Sequence, residues 1–131
     1  FFVCFALFAT ILSRGIITES IRFIHHRPRP AEVLMIESLV QKNGEAAFPS
    51  GHIAFFIPLA LVAWGMSRKW GAVFLVSTIA MGVARIFIGV HWPTDIIGGI
   101  IVGFISYIIA WRLFLPYKPK LTESPPETPA T

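Results

Sequence analysis

The chain has 131 residues, of which 55% are hydrophobic and 14% are charged, with a formal net charge of +4. Soluble domains average about 25% charged residues, and a small domain has too little interior to bury so much apolar surface. The composition argues against a soluble enzyme, a disordered chain and a nucleic-acid-binding module. A single cysteine, Cys4, excludes an internal disulfide and a cysteine-based metal site.

Four apolar stretches approach the length of about 20 residues that a helix needs to cross a membrane. They run from 1 to about 23, from about 50 to 66, from about 70 to 90 and from about 93 to 115. None alternates with the two-residue period of a barrel strand. We therefore predict an all-α fold, an integral membrane helical bundle with four transmembrane helices, over residues 1–115.

The two ends of the chain differ in character. The sequence opens inside an apolar run, so we expect residues 1–115 to be an N-terminally incomplete membrane domain. Residues 116–131 contain five prolines and almost nothing apolar, which predicts a disordered tail. The basic residues Arg68, Lys69 and Arg112 lie on the side of the tail, and the positive-inside rule makes that side cytoplasmic.

Three polar clusters interrupt the apolar pattern, and the predicted topology places all of them on the opposite, extracytoplasmic side. They are residues 22–30 (RFIHHRPRP), 49–52 (PSGH) and 85–95 (RIFIGVHWPTD). Charged residues at the ends of membrane helices are costly and usually functional. We therefore expect the three clusters to form one site.

The residue types in these clusters suit phosphate chemistry. Arginine offers a rigid fork of donors that matches phosphate oxygens. Ser50, Gly51 and His52 open a predicted helix, whose N–H groups and positive dipole end favour an anion. Histidine titrates near neutral pH and can act as nucleophile or acid. Asp95 follows His91 by four residues and can reach back to fix the tautomer of its ring.

In this order and spacing, the clusters resemble the type 2 phosphatidic acid phosphatase superfamily, which includes lipid phosphate phosphatases and bacterial undecaprenyl-diphosphate phosphatases. The family signature is Lys-x6-Arg-Pro, then Pro-Ser-Gly-His, then Ser-Arg-x5-His-x3-Asp. The corresponding residues here are Arg22-x6-Arg29-Pro30, Pro49-Ser50-Gly51-His52 and Ala84-Arg85-x5-His91-x3-Asp95. Two positions depart from it: Arg22 replaces the lysine and keeps its charge, and Ala84 replaces a serine.

The resemblance implies a metal-independent phosphatase that uses no cofactor. His91 would attack phosphorus and form a phosphohistidine, and Asp95 would orient it. His52 would protonate the leaving oxygen and then activate water. The residues that would hold the phosphate are Arg22, Arg29, Ser50, Gly51 and Arg85.

The substrate expected from this resemblance is a membrane lipid phosphate or diphosphate, and we favour undecaprenyl diphosphate. Phosphatidic acid and phosphatidylglycerol phosphate remain open. A membrane subunit that binds anions without turnover is the alternative from another class. We expect the protein in the lipid bilayer of a bacterial plasma or inner membrane, with no nucleic-acid partner. The sequence makes no prediction about oligomeric state.

Several other residues have a plainer interpretation. A zinc site built from His25, His26, the motif histidines and Asp95 is an alternative, but the neighbouring arginines would repel a cation. We interpret His25, His26 and Arg27 as interfacial residues with a possible headgroup contact. For Arg14 and Glu19 we favour a buried pair or a link to missing helices, and the alternative is a contact with substrate or with another helix. The Gly99-x3-Gly103 motif is expected to pack within the bundle rather than to form a dimer.

Overall fold

The computed structural model describes residues 1–35 and 44–117, so most of the predicted tail lies outside the described residues. Within those two ranges every regular element is helical, which confirms the all-α prediction. The elements are α1 (Phe2–Thr10), a π-helical segment (Ile11–Ile17), α2 (Thr18–Ile24), α3 (Pro30–Leu34), α4 (Gly51–Met66), α5 (Arg68–Phe87), α6 (Pro93–Phe114) and a 3-10 turn (Leu115–Tyr117).

Three helical rods have the length and apolar composition needed to cross a membrane: Phe2–Ile24, Arg68–Phe87 and Pro93–Tyr117. The first comprises α1, the π-helical segment and α2 without a break. The fourth predicted span, α4, is equally apolar but has only 16 residues. These helices agree with the predicted membrane bundle, and α4 is its shortest member.

Helix α4 lies at the centre of the bundle and packs against α1, α5 and α6. Its contact with α6 is close because glycines face it. A Cβ added at Gly99 would lie 2.8 Å from the carbonyl oxygen of Ser50, and one added at Gly103 would lie 2.7 Å from Cβ of Ile57. The two glycines therefore pack inside the bundle, as predicted from their spacing.

The two ends of the bundle have opposite chemistry. One end is closed by an apolar cluster of Phe5, Ala9, Val62 and Ala110, in which the Phe5 and Trp111 rings meet edge to face at 5.8 Å. At the other end, α2 terminates while α4 and α6 begin, so the polar clusters meet there.

The basic residues used to predict topology lie at the apolar-core end. Helices α4 and α5 are separated by the single extended residue Ser67, so α5 begins at Arg68, two residues before the predicted third span. Arg68 stacks on the ring of Trp64 at 5.2 Å, and Arg112 lies in the last turn of α6.

The close approach of α4 and α6 predicts that Gly103→Ala destabilises the protein. The new methyl group would overlap Ile57, and overpacking costs about 1–3 kcal/mol. Gly65→Ala is the matched control, because nothing lies within 4 Å of a Cβ there. Thermal unfolding in detergent should show a lower midpoint for Gly103→Ala only. Equal midpoints for the two variants would contradict the packing described.

Candidate active site

A cleft of about 740 Å³ opens at the polar end of the bundle. Its lining includes Arg14, Glu19, Arg22, His26, Arg29, Glu45, Gly51, His52, Arg85 and His91. Six of the eight predicted site residues thus line one cavity, and the other two, Ser50 and Asp95, are buried. Three sequence-distant clusters therefore converge, as their order along the chain predicts.

His91 is positioned by the turn between α5 and α6. Helix α5 ends at Phe87, and Gly89 follows with a φ of +74°, a conformation that residues with a Cβ rarely adopt. The amide of Val90 then donates to the carbonyl of Arg85 over 3.2 Å. This turn places His91 at the wall of the cleft, where only 1% of the surface of the residue is exposed.

Asp95 caps α6 and lies beside the ring of His91. Its Oδ2 accepts the amide N–H of Trp92 over 2.7 Å and lies 3.5 Å from Nδ1 of His91. That second distance is long for a hydrogen bond, but catalytic hydrogen bonds often tighten only in the reacting complex. Nδ1 of His91 thus faces Asp95, although it is buried without a hydrogen-bond partner among the described residues, and Nε2 lies on the other side of the ring.

Arg27 also holds Asp95, a role that the sequence analysis missed. Its Nη1 donates to Oδ1 of Asp95 over 2.8 Å and to Oγ1 of Thr94 over 2.6 Å. Its guanidinium also stacks over the ring of Trp92 at 5.5 Å. Arg27 therefore turns inward instead of reaching for a headgroup. A chemical argument could have revealed this contact. A buried carboxylate that uses one oxygen to face a histidine has a second oxygen that needs a hydrogen-bond donor, and a nearby arginine can supply it.

The helix predicted at Ser50-Gly51-His52 begins there, with Ser50 at the N-cap position. The Ser50 amide donates to the carbonyl of Asp95 over 2.9 Å, so this N–H joins α4 to α6. The Ser50 hydroxyl is buried and has no partner among the described residues. Of the two positions that follow, Gly51 is buried and His52 is exposed, and both line the cleft.

Arg29 has a structural task as well as a charge. Only 3% exposed, it donates from Nη1 to the carbonyl of Val90 over 2.8 Å and from Nε to the carbonyl of Glu45 over 3.2 Å. Its Nη2 approaches the carboxylate of Glu45 at 3.3 Å. Arg29 therefore links the segment that precedes α4, through Glu45, to the segment that carries His91, through Val90.

Arg22 and Arg85 have the donors best suited to an incoming anion. Arg22 donates to the carbonyl of Pro49 over 3.1 Å and contacts Glu19 at 3.4 Å. The Nε atoms of Arg22 and Arg85 are buried and have no hydrogen-bond partner among the described residues. A buried donor without a partner is costly, and phosphate oxygens would satisfy it.

Arg14 pairs with Glu19, as one of the two interpretations of these residues anticipated. The pair is not buried, however, because the side chains are 40% and 50% exposed and line the cleft.

The cleft favours anions over metal ions. Four arginines and only two glutamates are among its lining residues. In residues 1–35 and 44–117, no three His, Cys, Asp or Glu side chains are grouped closely enough to hold a metal ion. A phosphate group fits this charge distribution, since guanidinium groups match its oxygens in geometry and sign.

Burial lowers the pKa of His91 below the ordinary value of 6.5, and the charges of Arg85 and Arg29 lower it further. The hydrogen bond and charge of Asp95 act in the opposite direction and only partly offset this. The ring is therefore neutral at neutral pH, and a neutral imidazole has the lone pair that a nucleophile needs.

Comparison with known proteins agrees with these features. A sequence model of the PAP2 superfamily matches residues 2–118, and the chain belongs to this superfamily. It is 26% identical to undecaprenyl-diphosphatase BcrC of Bacillus subtilis over 97 residues, which cover 74% of this chain and 50% of that protein. The resemblance to the type 2 phosphatidic acid phosphatases is thereby confirmed.

Two further relatives carry different names. Bacitracin transport permease protein BcrC of Bacillus licheniformis is 26% identical over 83% of this chain and 54% of its own length. Lipid A 1-phosphatase of Rhizobium etli is 30% identical over 74% of this chain and 44% of its own length. The chain thus spans about half the length of these curated relatives.

The environment of His91 predicts how its titration responds to substitution. In protein labelled with ¹⁵N-histidine, the NMR signal that disappears in His91→Gln should titrate below pH 6.5. Asp95→Asn should lower the pKa further, because it removes the partner that favours the charged ring. Arg85→Met should raise it, because it removes a repelling charge. A wild-type pKa above 6.5, or shifts of the reverse sign, would contradict the proposed balance.

Proposed function

We propose that the protein is a membrane phosphatase that hydrolyses a lipid phosphate or diphosphate through a phosphohistidine at His91. The observation that carries the proposal is the meeting of His91, oriented by Asp95, with His52 and several arginines in one cleft at the ends of membrane helices. The names of the relatives from B. subtilis and R. etli support the same class of reaction.

In the first step, Nε2 of His91 attacks phosphorus. An N–P bond forms while the bond from phosphorus to the leaving oxygen breaks. The leaving oxygen takes a proton from His52, so that an alcohol, or a lipid monophosphate protonated on that oxygen, departs. Asp95 stabilises the positive charge that develops on the ring of His91.

In the second step, water attacks the phosphohistidine. His52, now neutral, removes a proton from the water, and the N–P bond breaks with its electrons returning to His91. The products are inorganic phosphate and the restored enzyme. Arg22 and Arg85 would bind the equatorial oxygens in both steps, where the charge of the transition state is concentrated.

We infer that these steps need no metal ion and no cofactor. The arginines supply the positive charge that a metal would contribute, and the imidazole of His91 is a nucleophile without metal activation.

Undecaprenyl diphosphate is the proposed substrate within this class. A second groove of about 660 Å³ runs along the outer face of the first helical rod and is lined by Gly15, Ile16, Glu19, Ser20, Phe23 and Ile24. Glu19 and Phe23 also line the cleft, so an apolar chain in the groove would lead directly to the phosphate site. The B. subtilis relative is named for this substrate.

We place the cleft on the extracytoplasmic face of a bacterial plasma membrane. Arg68 and Arg112 support this orientation, because they lie at the opposite end of the bundle and basic residues favour the cytoplasmic side.

The proposed activity predicts phosphate release by the full-length protein in detergent from at least one of undecaprenyl diphosphate, phosphatidic acid and phosphatidylglycerol phosphate. Release should persist in EDTA and be blocked by vanadate, which resembles the phosphoryl transition state. Loss of activity in EDTA that zinc or magnesium restores would refute metal independence. Vanadate-sensitive anion binding without any release would favour the alternative of an anion-binding subunit.

The roles of the two histidines predict different responses to the leaving group. His91→Ala should abolish turnover of every substrate. His52→Ala should lower turnover of lipid substrates by about 10²–10⁴-fold, the usual contribution of a general acid. An aryl phosphate needs little protonation, so on this substrate His52→Ala should still form phosphoenzyme. Rapid quench with ³²P-labelled substrate shows which variant still forms the phosphoenzyme. Acid-labile label on His91→Ala but not on His52→Ala would show that the roles of the two histidines are reversed.

A further inference from the structure

Arg14 lies at the bottom of the cleft for a specific structural reason. It belongs to the π-helical segment Ile11–Ile17, whose wider turns change the direction in which side chains leave the rod. The same segment is anchored to α4 by Ser13, whose hydroxyl donates to the carbonyl of Ala54 over 2.6 Å. Rare π-helical turns occur frequently at functional sites, and here the turn directs an arginine towards the start of α4.

The start of α4 is shaped to receive this arginine. A Cβ added at Gly51 would lie 2.6 Å from Nε of Arg14, so the guanidinium fills space that any other residue at position 51 would occupy. Gly51 is adjacent to His52, the proposed acid for the leaving group. Arg14 therefore lies against the first turn of α4, which carries His52.

Glu19 bridges Arg14 and Arg22. One carboxylate oxygen, Oε1, contacts a guanidinium nitrogen of each arginine. The bridge is half exposed and lines both the cleft and the apolar groove on the first rod. An anion that enters from the groove would meet these two arginines first, and it could replace the carboxylate at little electrostatic cost.

We propose that Arg14 forms a second anion subsite beside Arg22, and that this subsite binds the leaving phosphate of a diphosphate substrate in exchange for Glu19. This inference rests on the proposed phosphatase function and specifies its substrate as a diphosphate. When the bond between the two phosphates breaks, negative charge grows on the leaving phosphate, and Arg14 stabilises it in the transition state. A monophosphate leaves as an alcohol and places no phosphate at this subsite.

Farnesyl diphosphate and farnesyl monophosphate test the subsite, because they share one chain and differ by one phosphate. Arg14→Gln should lower kcat/KM for the diphosphate by about tenfold or more relative to the monophosphate, as expected for the loss of a hydrogen bond to a charged group. Arg14→Lys should be intermediate, because it keeps the charge but loses the fork. Arg112→Gln, at the other end of the bundle, is the matched control and should leave the ratio unchanged.

Equal losses on both substrates, or an unchanged ratio, would overturn the subsite. If gel filtration and thermal unfolding show that Arg14→Gln does not fold, Arg14→Lys replaces it in the test. An unchanged ratio of kcat/KM for the two farnesyl substrates in Arg14→Lys would then overturn the subsite. If the wild type hydrolyses neither farnesyl substrate nor any of the three lipids named under the proposed function, that function fails while the subsite remains testable. Calorimetry should then show that methylenediphosphonate binds more tightly than methylphosphonate, and that Arg14→Gln removes the difference; equal binding of the two in the wild type would refute the subsite.

Discussion

The hydrogen bonds of one buried carboxylate-bearing residue, Asp95, hold the three polar clusters together. Its side chain takes a donor from Arg27 in the first cluster and faces His91 in the third. Its backbone carbonyl accepts the amide of Ser50 in the second. Because Asp95 is fully buried, losing Arg27 or the Ser50 amide would leave one of its oxygens without that donor, which is costly. The site and the packing of the helix ends thus depend on the same residue.

The crowding of arginines at this end of the bundle is a second constraint. Like charges within one cleft repel, and the structure offsets this with local acceptors. Arg29 is engaged by backbone carbonyls and by Glu45, whereas Arg14 and Arg22 share Glu19. The first arrangement is built on a buried guanidinium and joins two segments of backbone, whereas the Arg14–Glu19 pair of the second is 40% and 50% exposed. Arg29 therefore stabilises the structure of the cleft, whereas Arg14 and Arg22 are the arginines proposed to contact a bound anion.

Local patterns in the sequence were sufficient to predict much of this arrangement. The spacing of His91 and Asp95 predicted their contact, and Ser50-Gly51 predicted the start of a helix, because both depend on neighbours within one turn. The partner of Arg27 lies 68 residues away, so no local pattern could reveal it. The position of Arg14 depends on a π-helical segment, which changes the phase of the helix without an evident sequence signal. Prediction thus failed where contacts are long-range or where the backbone departs from α-helical geometry.

The short length of α4 has a consequence for the depth of the chemistry. Sixteen residues rise about 24 Å, whereas the hydrocarbon layer is about 30 Å thick. If the end at Met66 is level with one boundary of that layer, the end at Gly51 lies some 6 Å inside the other by the same estimate. A lipid could then meet the catalytic groups without being lifted out of its leaflet. The surrounding leaflet would have to thin or admit water around the cleft, so turnover should depend on the acyl-chain length of the host bilayer.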